Sequence, residues 1–477
     1  MPGHPASSSA EAGGDAPRGS RLASIAVASA LFMEFVDSTA LSTALPRLSL
    51  AFGTDPIHLK LALTSYILAL AVLAPASGWV ADRFGPRRVF MLAMSVFLLG
   101  SVLCGFSQSL TQLVIFRTLQ GLGGALMTPV GRIIVVSSAP RERLVAALSW
   151  FTMPALVGPL VGPPLAGLIL GVADWPWIFF INVPVGILGM LAVARFVPPL
   201  HQPDPGPFDT RGFVLVAVAI TTLIGAAETV GIGLMPLSLQ LGLAAVAFLS
   251  LGAYVWHALR VERPVLNLRL LRIDTFRASM IGGTLTRMGL GASPFLLPLL
   301  FQVGLGWTPV EAGLVTIGGG VGALACKSVA PYIIRRFGFR QTLIFANLTS
   351  AVLTAMPAFF RNSTPIPLIV GVLMVSGFMR SMQFTAINTV AYADIPPDTV
   401  SNASTLSVVT MQMALGLGIS FGGLMLHLAR GAGEAPLTPD RFVLPFIAVG
   451  IMSSLAGPLY RRLSPNAGAH IGGRRVG

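Results

Sequence analysis

Residues 78–90 read Gly-Trp-Val-Ala-Asp-Arg-Phe-Gly-Pro-Arg-Arg-Val-Phe, and the fold follows from them. An apolar run ends at Asp82, three arginines crowd a turn that pivots on Gly85-Pro86, and a second apolar run starts at Val89. So short a turn, charged on both shoulders, predicts a loop joining two membrane helices, and arginines beside a span mark the cytoplasmic side. The pattern returns 253 residues later, where Arg83-Phe84-Gly85-Pro86-Arg87 is echoed by Arg336-Phe337-Gly338-Phe339-Arg340. One half of the chain reads as a diverged copy of the other.

Composition agrees. The 477 residues are 54% hydrophobic and 10% charged, with a mean hydropathy of +0.79, whereas globular chains carry about 25% charged residues. A polytopic α-helical membrane protein is expected. The net charge of +13 lies in short clusters between apolar runs, with no basic stripe or aromatic platform, which argues against nucleic acid as a partner. Cys104 and Cys326 sit inside apolar runs without CxxC spacing, and the histidines include no metal-ligand pair, so neither a metal nor a cofactor is expected. Residues 1–20 read as a disordered cytoplasmic tail, and the run after them, holding Glu34 and Asp37, is too long for a signal-peptide core.

A window of about 19 residues yields about fourteen spans. They fall into an N-terminal six-helix half at 21–199, two inserted helices and a linker at 200–272, a C-terminal six-helix half at 273–462, and a cytoplasmic tail at 463–477. Of the 31 basic residues, 21 then lie in cytoplasmic segments, 5 in external ones and 5 within spans, which places both termini in the cytoplasm. The groups include Arg141/Arg143, Arg335/Arg336/Arg340 and Arg474/Arg475; only the acidic loop at 394–400 dissents. The 253-residue offset exceeds what six spans need, and an insertion of two spans accounts for the excess. Repeats of this kind place a substrate site at their interface.

Residues 78–88 resemble the loop signature of the major facilitator superfamily, Gly-x-x-x-Asp-Arg-x-Gly-Arg-(Arg/Lys), with Pro86 in place of the usual basic residue. Asp37-Ser-Thr-Ala-Leu-Ser-Thr-Ala-Leu-Pro46 resembles the first-span signature of the fourteen-span drug:proton antiporters. Arg117-Thr-Leu-Gln-Gly-Leu-Gly-Gly-Ala125 resembles the fourth-span signature. Gly158-Pro159-Leu-Val-Gly162-Pro163-Pro-Leu-Ala-Gly167 resembles the fifth-span antiporter signature. Trp177-Ile-Phe-Phe-Ile-Asn182-Val-Pro184-Val-Gly186 and Leu297-Pro-Leu-Leu-Phe-Gln302-Val-Gly304 resemble the EmrB/QacA-like branch. The resemblance implies two pseudo-symmetric six-helix halves plus two extra central helices, proton-coupled multidrug efflux, and proton coupling through Arg117 and an acidic first-span residue, which Asp37 matches.

The residues themselves suggest roles. Glu34 and Asp37, three apart, share one face of span 1. Ionisable groups at mid-membrane are functional candidates, and two carboxylates so close resist being charged together, which suits proton carriage; a structural ion pair is the alternative. Subtracting the repeat offset from Arg287 gives position 34, so Arg287 and Glu34 are expected to face each other across the cavity. Arg132, Arg287, Gln302, Arg380, Gln383 and Asn388 are candidate substrate contacts. Arg132 and Lys327 could instead snorkel toward the cytoplasmic surface. Gly78, Asp82, Arg83, Gly85, Arg87 and Arg88 are expected to form a cytoplasmic latch. Gly158, Pro159, Gly162, Pro163 and Gly167 supply the small residues and kinks of a close-packed gate helix. Glu228 is read as structural, on a peripheral pair of inserted helices.

The sequence thus predicts a proton-coupled exporter of small organic molecules in a bacterial inner membrane, with substrate, protons and lipid as partners and with or without a periplasmic adaptor. An exporter of organic anions or carboxylate metabolites, including metal complexes, is the alternative that the basic residues suggest, and a membrane protein without transport activity is a further one. No Walker loop, HExxH or nucleophile elbow points to an enzyme.

Overall fold

The computed structural model describes residues 16–138, 144–198, 206–230, 235–431 and 436–468. Most of the expected N-terminal tail, Arg141/Arg143, part of the linker and the C-terminal Arg474/Arg475 lie outside them. Within the described residues the chain forms helices and no strand. The N-terminal half comprises α1 (Ala16–Phe52), α2 (Lys60–Leu73), α3 (Ser77–Phe84), α4 (Pro86–Gly105), α5 (Leu110–Ser138), α6 (Leu144–Val172), α7 (Trp177–Phe180) and α8 (Asn182–Phe196). The inserted helices are α9 (Thr210–Thr229) and α10 (Leu237–Ala258). The C-terminal half comprises α11 (Asp274–Leu299), α12 (Pro309–Val315), α13 (Ile317–Ala355), α14 (Ile366–Ala391), α15 (Val400–Arg430), α16 (Val443–Ser454) and α17 (Gly457–Arg461).

Twelve described helical segments are long and apolar enough to cross a membrane. One of them, Pro309–Phe359, runs for 51 residues and breaks at Gly338, so it supplies two spans. Helix α11 is not among the twelve: it carries Asp274, Arg277 and Arg287, yet Arg287 is buried with the apolar residues that pack α11 into the bundle. With it the fold has about fourteen spans. Gly85 (φ 86°) and Gly338 (φ 78°) occupy the left-handed region that a Cβ disfavours, and they stand 253 residues apart. The repeat seen in the sequence is therefore a repeat of backbone breaks, and Pro86 starts α4 where its missing N–H is harmless.

The two breaks lie on one side of the bundle, the Gly85 face; Asp55, which caps the turn before α2 by accepting from the Ile57 N–H at 2.8 Å, lies on the other. An apolar core on the Asp55 face draws Leu41, Leu45 and Leu170 from the N-terminal half and Phe295, Leu299 and Phe301 from the C-terminal half. Separate cores around Phe90 and Phe97 and around Phe339 and Tyr460 hold each half together. The acidic loop at 394–400 has a partner: Thr275, in the first turn of α11, donates to Asp394 Oδ2 at 2.8 Å. The expectation of a peripheral inserted pair needs correction. Helix α10 is largely exposed, but α9 packs against both α2 and α15, because Ile220, Ile224 and Glu228 put their side chains into that seam.

Candidate functional site

In the N-terminal half, five helices converge on one carboxylate. Asp37 is 1% exposed on α1. Arg117 Nη1 donates to its Oδ2 at 2.6 Å, while Gln120 Nε2 and Asn182 Nδ2 donate to Oδ1 at 3.0 and 2.7 Å. Arg117 and Gln120 share a face of α5 because they are three residues apart. Arg117 also donates to Gln120 Oε1 at 2.6 Å and, through Nε, to the Ala62 carbonyl of α2 at 3.4 Å. The Tyr66 ring covers the guanidinium at 4.4 Å, and Asn182 passes the network on to Ser101 Oγ of α4 at 2.9 Å. A buried ion pair persists when its remaining hydrogen-bonding capacity is also met, as it is here. Asp37 and Arg117 were separate candidates in the sequence; that they form one pair was not readable. Asn182 was visible only as one letter of a motif, and its signal is a polar amide inside an apolar run.

Glu34, one turn earlier on α1, stands outside this network. Its Oε2 accepts from Thr128 Oγ1 of α5 at 3.3 Å, and among the described residues it has no ion-pair partner.

The C-terminal half gathers basic groups instead. Arg287 is 2% exposed; its Nη2 donates to Asn388 Oδ1 of α14 at 2.9 Å, whereas Nε and Nη1 are buried without a hydrogen-bond partner among the described residues. Arg380 donates to Ser293 Oγ at 2.8 Å. Gln383 donates to Thr286 Oγ1 and Asn347 Oδ1 at 3.0 and 2.7 Å. A cavity of about 20 Å³, lined by Arg287, Ser350, Arg380, Gln383 and Phe384 among others, has room for about one water. Four sequence candidates (Arg287, Arg380, Gln383 and Asn388) thus occur together. The expected Glu34–Arg287 pair does not form in this conformation. Their positions are equivalent in the two halves, and equivalence gives each the same kind of neighbour: Glu34 meets α5, and Arg287 meets α14, the counterpart of α5.

The other candidates lie elsewhere. Gln302, on the π-helical turn Leu300–Gly304, donates to the Thr43 carbonyl of α1 at 2.8 Å, a bond between the halves near the Asp55 face. Asp55 itself is ion-paired with Arg430 of α15. Arg132 is exposed, and Lys327 donates to Thr385 Oγ1 at 2.8 Å. In the latch segment Arg87 donates to the Ala194 carbonyl of α8; Gly78 and Asp82 are half-buried, and Arg83 and Arg88 exposed. The small residues of α6 do mark close approaches. A Cβ on Gly158 would lie 2.4 Å from Phe35 Cβ, one on Gly162 2.1 Å from Thr39 Oγ1, and one on Gly167 2.5 Å from the Pro309 carbonyl oxygen. Pro159 is exposed and Pro163 half-buried, and the Pro163 carbonyl faces Gly313 of α12.

Residues 27–267 and 279–475 match the Major Facilitator Superfamily. A protein named for multidrug resistance, MdtD, from Pectobacterium atrosepticum is 37% identical over 444 residues, covering 92% of this chain and 95% of the relative. The MdtD of Yersinia pestis is 35% identical over 455 residues, with 93% and 96% covered. Among solved structures, an auto-inhibited POT family peptide transporter has a TM-score of 0.69 at 16% identity, covering 94% of this chain and 98% of that one. The nucleoside transporter NupG has a TM-score of 0.63 at 11% identity, covering 92% and 99%.

Proposed function

We propose that this chain, which belongs to the Major Facilitator Superfamily, is a proton-coupled exporter of small organic molecules working by alternating access. The observation that carries the reading is Asp37: a carboxylate 1% exposed, held by one arginine and two amides from different helices. Ionisable groups at this depth mark ion or substrate pathways. Protonating Asp37 would release Arg117, and breaking one side of a buried pair costs about 3–5 kcal/mol, enough to bias a conformational equilibrium. Glu34, one turn away without a cation, is a second proton carrier. The Asp55 face, sealed by Gln302–Thr43 and Arg430–Asp55, would be the periplasmic gate, and the Gly85 face with both termini would lie in the cytoplasm of a bacterial inner membrane. The halves are taken as 21–199 and 273–462, with α9 and α10 inserted between them. The MdtD relatives support multidrug export; the EmrB/QacA-like motifs support antiport.

A second reading, export of organic anions, is favoured by Arg287, whose Nε and Nη1 have no hydrogen-bond partner among the described residues, beside Arg380. Proteoliposomes with an imposed pH gradient test both. Internal pH is recorded while lipophilic cations and organic acids are added in turn, with Asp37→Asn as control. Proton movement evoked by cations and lost in the variant supports multidrug antiport; movement evoked only by acids supports the anion reading. Silence with well-folded protein counts against both.

A further inference from the structure

The seam between the halves holds a further buried carboxylate that neither the Asp37 network nor Glu34 engages. Glu228 of α9 is 3% exposed, and Lys60 of α2 is fully buried. Lys60 Nζ lies 3.4 Å from Glu228 Oε2, longer than a charge-assisted hydrogen bond, and neither atom has a closer hydrogen-bond partner among the described residues. Glu228 Oε1 accepts from Ser420 Oγ of α15. Lys60 is pinned there, because a Cβ on Gly423 of α15 would lie 2.7 Å from its Cδ. One carboxylate is therefore held by a cation from the N-terminal half and a hydroxyl from the C-terminal half, on a helix belonging to neither.

We propose that Glu228 is a further proton-binding site of the exchange, beside Asp37 and Glu34, interlocked with closure of the Asp55 face by Lys60. The inference rests on the proton-coupled reading above. A buried ion pair kept for rigidity would use its donors at short range; among the described residues this ammonium has only a 3.4 Å contact with the carboxylate, which is poised to break. Any motion that parts α2 from α15 leaves Glu228 with one partner at most and admits water from the Asp55 face. A hydronium ion can then protonate the carboxylate and leave as water. Closing again with Glu228 protonated would bury an unpaired ammonium, so the proton must pass to water or a further acceptor first. The first turns of α2 place the two sites side by side: Ala62, two residues from Lys60, accepts from Arg117, the partner of Asp37. The other charged groups of the neighbouring elements lie toward the Asp55 surface, namely His58 before α2 and His427 and Arg430 on α15, the last paired with Asp55. The first turn of α10, Leu237–Gln240, carries no titratable group.

The test labels Leu50→Cys on α1 and Leu428→Cys on α15 of the full chain in lipid nanodiscs, both exposed near the Asp55 face, and follows their separation by spin-label distance measurement from pH 8 to pH 5. The separated population should grow as pH falls. Glu228→Gln should raise that population roughly tenfold at pH 8, because Lys60 loses its counter-charge. Lys60→Met should have the opposite effect, holding the face closed, since a neutral Glu228 then closes at no electrostatic penalty. The double variant Lys60→Met with Glu228→Gln should fold and not respond to pH. A pH response that survives in Glu228→Gln, or both single variants shifting the population the same way, as a merely structural pair would, overturns the proposal. Asp37→Asn separates the two readings: it should abolish coupled transport yet leave the label response to pH intact. If the wild type moves no protons but its labels respond through Glu228, the site stands and the transport reading falls.

Discussion

Glu34 of α1 bonds to Thr128 of α5, and Arg287 of α11 bonds to Asn388 of α14. The contacts join corresponding helices of the two halves, yet the charge is reversed. Around the first lies a network in which Asp37 is satisfied by Arg117, Gln120 and Asn182; around the second lies a guanidinium with two nitrogens unmet. A duplicated backbone therefore holds two different electrostatic machines. One half holds a carboxylate bonded by three donors, and the other a guanidinium with two nitrogens that no described residue bonds. In the proposed proton-coupled exchange both would be needed, and dividing them between the halves would make rocking of the halves the coupling event.

The sharpest way to break the contrast is to remove each arginine. Arg117→Met should strand Asp37 and destabilise the protein by about 3–5 kcal/mol, read as a fall in thermal midpoint in detergent, with proton-coupled transport lost. Arg287→Met removes two buried nitrogens that have no acceptor among the described residues, at the cost of one bond to Asn388, and should stabilise by about 1–3 kcal/mol while weakening export of any anionic substrate. If both variants destabilise alike, the asymmetry between the halves is wrong.

A smaller effect tests how the halves move. Gly162 lets α6 lie against Thr39 of α1, where a Cβ would come within 2.1 Å of Oγ1. Gly162→Ala should cost about 1–3 kcal/mol and slow transport. Adding Thr39→Ala, which removes the colliding atom, should restore much of both. No such rescue is expected at the counterpart contact of α11 with α15, where Gly291 meets the Leu415 backbone instead.

What the sequence disclosed and what it hid divide along physical lines. Spans, the break at Gly85 and its echo at Gly338 were legible because hydropathy and turn chemistry act locally. The candidates Asp37, Arg117, Arg287 and Arg380 were legible because charge inside an apolar run is costly and so conspicuous. Pairing was not: Arg117 reaches Asp37 across 80 residues, and no periodicity encodes that. Repeat arithmetic correctly equated Arg287 with Glu34, but equivalence under pseudo-symmetry fixes a residue's neighbourhood in its own half, not a contact between halves. Lys60–Glu228 was hidden for a related reason, since an inserted helix has no counterpart from which its position can be inferred.

The linker supplies the smallest test, because it is where the difference between the halves must be tolerated mechanically. Asp209 caps α9 by accepting from the Gly212 N–H at 2.9 Å, and it also meets His257 Nε2 of α10 at 2.7 Å and the Val265 N–H at 3.2 Å. Burial alone would raise its pKa, but these hydrogen bonds outweigh burial and hold the carboxyl below its ordinary value of 3.8. A depressed carboxylate stabilises the folded form above the unfolded-state pKa, and that contribution fades as pH falls from about 4 through the lowered value. Asp209→Asn should cost about 1 kcal/mol at neutral pH, with the deficit shrinking below pH 4 in thermal melts. Because the linker serves both halves equally, the variant should leave cation- and anion-evoked proton movements reduced in the same proportion; a selective loss of either would mean that α9 and α10 take sides.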